Sequence, residues 1–180
     1  ILISIMDSDF QLREAVTEDA QAIARVNYST WQHTYRGLIP DSDLNSMNLE
    51  LLADGWKQNL SPRDPRITTY VVLQGGLLVA YSRFYPSVDP DDDSDRVATI
   101  GSMYVDPEFQ RKGIGQKLME TVLGSAKNHD FVEATLHVLE ANEQARKFYE
   151  RLGWEKDLVA EIEGSLLKSV PKVRYRRKLL

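Results

Sequence analysis

The segment QRKGIG at residues 110–115 places two cationic side chains and two glycines at the entrance of a predicted helix. The first N–H groups of a helix have no partner within the helix, and the aligned peptide dipoles add about half a positive charge there. Arg111 and Lys112 add to this charge, and the missing side chains of Gly113 and Gly115 leave room for a phosphate at a concave nest of N–H groups. The segment therefore predicts an anion site that suits a pyrophosphate.

Three classes of ligand use such a site, and each requires its own spacing of residues. A mononucleotide P-loop requires G-x-x-x-x-G-K-[ST], whereas IGQKLM follows Gly113. A dinucleotide-binding G-x-G-x-x-G requires a third glycine where this chain has Leu118. The remaining class is the pyrophosphate of coenzyme A.

A predicted strand and a predicted helix position this segment. The strand covers 97–105, and Gly101 within it predicts a β-bulge or a close approach of another group to the backbone. The helix runs from Gly113 to about Asn128, with apolar residues at helical spacing. The other predicted elements are strands at 10–16, 67–73, 77–85, 131–139, 155–163 and 172–179, and helices after residue 17, at 48–60 and at 143–152.

The order βααβββαβαββ predicts one α/β domain, residues 8–180, with a mixed central sheet flanked by helices. Gly75 and Gly76 predict a tight hairpin between two of the strands. The acidic run at 86–95 is expected to be a solvated surface loop, although it could attract a cationic amine.

The composition excludes several classes of function. The 180 residues are 42% hydrophobic and 27% charged, which suits one globular domain with a substantial core. The net charge of −5 disfavours general binding to nucleic acid or to anionic membranes. The absence of cysteine excludes thiolate nucleophiles, disulfides and cysteine zinc sites, and it fits a cytoplasmic protein. The apolar opening ILISIM is too short to span a bilayer.

Two segments in register carry a family resemblance, although a lone G-x-G is usually no more than a tight turn. SMYVDPEFQRKGIGQKLME (102–120) contains Q/R-x-x-G-x-G/A between a strand and a helix, and NEQARKFYERLGW (142–154) matches N-x-x-A-x-x-F-Y-x-x-L-G-F/W. Both segments, and the order of elements, resemble the GCN5-related N-acetyltransferase (GNAT) superfamily. STWQHTYRGLIPDSDL (29–44) is similar to a segment common in its bacterial small-molecule members.

The resemblance implies the acyl-CoA N-acyltransferase fold and an enzyme. Its reaction would transfer an acetyl group from acetyl-CoA to a primary amine of a small molecule or peptide, by direct attack on the thioester. Acetyl-CoA is the implied cosubstrate, and no metal is implied. A non-catalytic acyl-CoA-binding module is the alternative. Relatives often pair through their C-terminal strands, so a homodimer is a candidate assembly.

The resemblance also implies which residues hold the coenzyme. Backbone groups of the strand would pair with the pantetheine arm as with an added strand, and a strand N–H would stabilise the oxyanion. The turn and the start of the next helix would hold the pyrophosphate, and Asn142 would cap a helix, contact pantetheine, or do both. The coenzyme residues implied in this way are Met103, Tyr104, Val105, Arg111, Lys112, Gly113, Ile114, Gly115, Gln116 and Asn142.

Two candidate residues could move protons. Tyr149 matches the general acid of the family, which would protonate the departing thiolate, but it could equally be a core aromatic. The strand carboxylate that serves as base in many relatives has no counterpart here. His137 occupies the position of another base found on the next strand, and a packed histidine or a chain of water molecules remains an alternative.

The acceptor amine is expected to lie against the first helices. Trp31 and Tyr35 are four residues apart and share a face if this stretch is helical. They could form a wall of the acceptor site or simply pack two helices together. The resemblance implies the first role, whereas helix packing is the commoner use of such a pair.

Overall fold

The computed structural model describes residues 4–6, 10–61, 64–157 and 170–179. The strands are β1 (Ser4–Met6), β2 (Phe10–Glu14), β3 (Thr68–Gln74), β4 (Leu77–Pro86), β5 (Val97–Val105), β6 (Glu133–Leu139), β7 (Glu155–Lys156) and β8 (Lys172–Lys178). The helices are α1 (Ala20–Thr34), α2 (Asp41–Asn45), α3 (Leu49–Asn59), α4 (Ile114–Asn128) and α5 (Glu143–Arg151).

The strands form one mixed sheet in the order β1-β2-β3-β4-β5-β6-β8-β7. All neighbouring pairs are antiparallel except β5 and β6, which are parallel. The predicted order of elements is confirmed, with β1 and the five-residue α2 as additions that the sequence pattern did not indicate. The predicted strand at 155–163 extends over only Glu155–Lys156 in the described residues, and 158–169 lie outside them.

Local signals explain where several elements begin and turn. Gly75 and Gly76 both have positive φ and join β3 to β4 in the predicted hairpin. Asn48 accepts a hydrogen bond from the backbone of Leu51 at 3.0 Å and so caps α3.

Helices cover both faces of the sheet. On one face, α1 and α3 pack around Ile23, Val26 and Trp56 against Val71 and Tyr81 of the sheet. On the other face, α4 and α5 bury a larger core, which includes Phe84, Leu118, Val122, Leu136 and Tyr149. No helix among the described residues is long and apolar enough to cross a bilayer.

The parallel pair β5 and β6 separates part-way along its length. Pairing runs only from Val97 with Glu133 to Thr99 with Thr135, and the two threonine hydroxyls are 3.1 Å apart at the last pair. Beyond this point β5 remains paired with β4, and β6 with β8. The sheet therefore opens between β5 and β6.

Most residues of the acidic run at 86–95 are exposed, as its composition predicted, but two of its carboxylates are not. Asp89 and Asp92 are buried, with side chains 3% and 2% exposed, and they pair with Arg174 and Arg176 of β8. The two arginines of β8 offset the cost of this burial. A carboxylate removed from water needs a cation and hydrogen bonds to replace its lost hydration.

Candidate active site

A cleft of about 1450 Å³ occupies the opening between β5 and β6. Ligand pockets are usually about 300–1,000 Å³, so this cleft has room for two substrates side by side. The second half of β5, the turn before α4, the exposed side of α5 and the end of α1 form its walls.

The second half of β5 offers a free backbone edge to the cleft. Met103, Tyr104 and Val105 pair with β4 on one side and, among the described residues, have no strand partner on the other. The side chain of Gln110 donates to the carbonyl of Val105 at 3.1 Å and occupies one of these backbone groups. The remaining N–H and C=O groups can bind an extended ligand as an added strand would.

Gly101 forms the predicted bulge in β5. Ile100 pairs with Phe84 and Ser102 with Arg83, so Gly101 has no partner of its own. The predicted close approach is also present, because a Cβ on Gly101 would lie 2.3 Å from Cε1 of Tyr85. Only a glycine allows this ring to cover the bulge, and the bulge turns backbone groups of β5 toward the cleft.

The turn before α4 has the strained backbone of an anion nest. Arg111 and Gly113 have φ of 63° and 78°, and Gly113 caps the helix. A Cβ on Gly113 would meet no atom within 4 Å and would project into open space. The turn therefore presents the first N–H groups of α4 without an obstructing side chain.

Gly115 lines the cleft and also has a packing role that its spacing did not suggest. A Cβ there would lie 3.3 Å from Cζ of Phe148 and 3.7 Å from a methyl group of Val105. Its small size lets α4, α5 and β5 approach one another at the cleft wall, and this packing is independent of any phosphate.

Three other predicted coenzyme residues differ in what their side chains do. Lys112 places its Nζ 4.7 Å from the ring centroid of Phe109, so its charge stays beside the turn. The side chain of Ile114 is buried in the core, which leaves only its backbone for a ligand. Gln116 lines the cleft and donates to Glu120 one turn along α4.

Asn142 caps α5 as predicted. Its Oδ1 accepts a hydrogen bond from the backbone of Ala145 at 3.1 Å, and the residue is 8% exposed and lines the cleft. The cap fixes where α5 begins and so positions Tyr149 two turns later.

Tyr149 has a position that is compatible with both of the roles that the sequence left open. It belongs to the core and packs edge-on against Phe148 and Trp154, yet it also lines the cleft. Burial raises the pKa of its hydroxyl, and the neighbouring phenol of Tyr104 raises it further. The group is therefore protonated at neutral pH, as a proton donor must be.

Trp31 and Tyr35 lie on one face, as their spacing predicted. Their rings meet at right angles with centroids 5.0 Å apart, and both residues line the cleft. They also pack against a small cluster around Leu44 and Leu139. The pair thus joins α1 to the end of β6 while it walls the side of the cleft opposite α5.

His137 of β6 lines the cleft beside the acidic run. Its Nε2 lies 3.4 Å from Oδ2 of Asp89 in a geometry that makes no hydrogen bond. Burial lowers the pKa of the imidazole, Asp89 opposes this effect, and Arg174 and Lys172 reinforce it. His137 is consequently neutral at pH 7 and able to accept a proton.

Comparison with known families identifies this arrangement. The sequence model described as the acetyltransferase (GNAT) family matches residues 27–154, most of the chain. The chain belongs to the GNAT acetyltransferase family. As a GNAT protein it is an acyl-CoA-dependent N-acyltransferase, and the enzyme class predicted from the sequence is confirmed.

Known GNAT relatives match over almost the whole chain. The uncharacterized N-acetyltransferase YuaI of Bacillus subtilis is 29% identical over 163 residues, which cover 88% of this chain and 89% of YuaI. The PaiA N-acetyltransferase of Thermoplasma acidophilum, solved with coenzyme A, has a TM-score of 0.70 at 18% identity and covers 96% of this chain and 99% of its own. The yncA protein of Salmonella typhimurium, solved with its cofactor acetyl-CoA, has a TM-score of 0.71 at 17% identity and covers 95% and 94%. These structures confirm the predicted GNAT fold.

Three residues of this GNAT site, Gln110, Tyr85 and Asp89, were not predicted from the sequence, and Tyr104 was predicted for its backbone alone. Gln110 stands in the quoted signature, but its contact with Val105 depends on the fold. Tyr85 and the side chain of Tyr104 are aromatic residues in strands, a pattern that fits any core. Asp89 lies within a run of similar charges, and only its burial distinguishes it.

Proposed function

We propose that this GNAT acetyltransferase transfers an acetyl group from acetyl-CoA to a primary amine of a small molecule or peptide by direct attack on the thioester. The observation that carries the proposal is the free edge of β5, which leads from the bulge at Gly101 to the anion nest at Gly113. An extended arm ending in a diphosphate fits this path, because backbone groups line its length and a helix N-terminus closes it.

The free edge supports a specific placement of the coenzyme. The pantetheine arm would pair with backbone groups of 103–105 after displacing the side chain of Gln110, and its diphosphate would lie at Arg111, Gly113 and the first N–H groups of α4. The thioester would then lie near the bulge, where a strand N–H can stabilise the oxyanion. The relatives solved with coenzyme A or acetyl-CoA share this fold.

The chemistry requires proton transfers on opposite sides of the thioester. An alkyl ammonium has a pKa of about 10, so a base must first remove one proton. The free amine attacks the carbonyl carbon, a C–N bond forms, and the C–S bond breaks as the oxyanion collapses. Tyr149 donates its proton to the departing sulfur, and the nitrogen loses its second proton, so the whole reaction releases one proton.

His137 and ordered water are the two candidates for the base. Three properties of His137 suit a general base: it is neutral at pH 7, it lines the cleft, and it lies across the opening of the sheet from β5. Trp31 and Tyr35 would hold the acceptor from the α1 side.

The proposal is tested by measuring free thiol released from acetyl-CoA with a panel of diamines, amino acids, aminoglycosides and short peptides. We expect acceptor-dependent release above the rate of acetyl-CoA hydrolysis, and mass spectrometry should show an acetylated amine. Binding of acetyl-CoA by calorimetry without transfer to any amine would instead support a non-catalytic acyl-CoA-binding module.

A further inference from the structure

The carboxylate of Asp89 is buried at the edge of the cleft. Its side chain is 3% exposed, it lines the cleft, and its Oδ2 lies 3.2 Å from Nη1 of Arg174. The acidic run is held at this place by ion pairs of Asp89 with Arg174 and of Asp92 with Arg176, both of β8. A buried carboxylate is costly, so its position requires an explanation.

The pairing with Arg174 does not by itself provide that explanation. Nη2 of Arg174 is already 2.6 Å from Asp91, and its Nε donates to Asp157 at 2.9 Å. A second carboxylate is enough to satisfy one guanidinium, and burying a third costs hydration with little further Coulombic gain. The burial of Asp89 is therefore better explained if this carboxylate has a second partner in addition to Arg174.

That second partner is His137. Arg174 and His137 are directly paired across β8 and β6, so the guanidinium that holds Asp89 also places it beside the imidazole. Nε2 of His137 is buried and makes no hydrogen bond within the described residues, and Oδ2 of Asp89 is 3.4 Å away. A rotation of the imidazole that shortens this distance slightly would satisfy both groups.

We propose that Asp89 is a positioning residue, which accepts a hydrogen bond from Nε2–H of His137 and so leaves the lone pair of Nδ1 free to take a proton from the acceptor amine. The inference rests on the proposed function and assigns its base. The N–H bond of the ammonium breaks, the proton moves to Nδ1, and the carboxylate of Asp89 stabilises the imidazolium until the proton passes to water.

The charges around His137 set the expected pH dependence. Asp89 and Asp92 of the acidic run favour the imidazolium, whereas Arg174 and Lys172 of β8 oppose it together with burial. Removing the charge of Asp89 should therefore lower the pKa of His137 further. A general base with a lower pKa remains neutral at more acidic pH but accepts a proton less readily.

The tautomer of His137 in the unmodified protein is the first test, and it does not depend on turnover. A ¹⁵N–¹H correlation spectrum at neutral pH, assigned by the loss of one imidazole in His137→Gln, should show a protonated Nε2 and an unprotonated Nδ1. A protonated Nδ1 would overturn the proposal. Because this measurement uses no acceptor, it separates failure of the proposal from failure of the acetyltransferase function.

The second test compares Asp89→Asn with the control Asp91→Asn, which removes another carboxylate from Arg174 without touching His137. Asp89→Asn should lower kcat at least tenfold, leave KM for acetyl-CoA unchanged, and move both the titration of His137 and the acidic limb of kcat to lower pH. Asp91→Asn should leave all of these within twofold. Equal effects of the two substitutions would mean that Asp89 serves only the packing of the acidic run, and the proposal would fail.

Discussion

Tyr149, the proposed general acid, belongs to the core and also lines the cleft. Its ring is held on three sides by Phe148, Trp154 and Tyr175, so the hydroxyl has little freedom. A fixed proton donor loses no conformational entropy in the transition state, and burial keeps it protonated. Core packing and catalysis are therefore compatible at this residue.

We expect Tyr149→Phe to lower kcat by about 10²-fold with little change in acetyl-CoA affinity, because the ring remains and only the proton is lost. The affinity is measured by calorimetry and turnover by thiol release. Tyr70→Phe is the matched control, since Tyr70 is equally buried but bonds to Glu14 and Ser125 away from the cleft. Wild-type turnover in Tyr149→Phe would show that the thiolate leaves without this acid.

At the scale of elements, the site depends on two backbone irregularities, one within β5 and one in the turn that follows it. The bulge in the middle of β5 allows Tyr85 to cover Gly101, and the turn after β5 presents the N-terminus of α4. Both require glycine, the first for space and the second for positive φ. Substitutions at Gly101 and Gly113 can test the need for space and the need for positive φ separately.

Gly113→Val should weaken coenzyme A binding at least tenfold, because a branched side chain would fill the space proposed for the diphosphate. The strain of positive φ should also cost about 1–2 kcal/mol of stability. Gly76→Val carries the same strain in the β3–β4 hairpin, at φ of 82°, and should keep its affinity. Calorimetry with coenzyme A distinguishes them, and equal affinity in both variants would place the diphosphate elsewhere.

Gly101→Ala should destabilise the protein by roughly 1–3 kcal/mol, because its Cβ would overlap the ring of Tyr85. In a Tyr85→Ala background the same change should cost much less, and denaturant unfolding of the four proteins gives the coupling energy. Gly124→Ala, with no atom within 4 Å of its Cβ, should be neutral or stabilising. An identical cost in both backgrounds would exclude Tyr85 as the source of the strain.

At the scale of the whole molecule, two arginines of β8 join segments that are distant in the chain. Arg174 contacts Asp89, Asp91 and Asp157, and Arg176 contacts Asp92, Asp157 and Glu133. The acidic run, the residue after β7 and the start of β6 are thereby held to one strand. This network sets the shape of the cleft on the side of His137.

Arg174→Gln should lower the free energy of unfolding by about 3–5 kcal/mol, because it leaves a buried carboxylate without its cation. The loss should persist at high salt, since screening is weak for a pair whose side chains are only 2% and 3% exposed. Arg36→Gln breaks an exposed pair with Asp41 and should change stability by no more than about 0.5 kcal/mol. Similar small losses in both variants, measured by urea unfolding, would contradict the structural role of the network.

The sequence alone determined the features that depend on a few neighbouring residues. The signature at 110–115, the cap at Asn142, the hairpin at Gly75 and Gly76 and the apolar stripe of α4 are local, because helical and strand periodicity act over one or two turns. Together they predicted the order of elements and the GNAT family, and most of the residues proposed to bind the coenzyme line one cleft.

The contacts between side chains of distant segments became known only from the three-dimensional structure. The contact of Asp89 with His137 depends on the segment after β4 reaching β6 and β8, and nothing in a run of aspartates tells which one will be buried. The same holds for Tyr85 over Gly101. Long-range pairing is set by the register of whole strands and by the cost of burying charge, and both are properties of the assembled sheet rather than of any short segment.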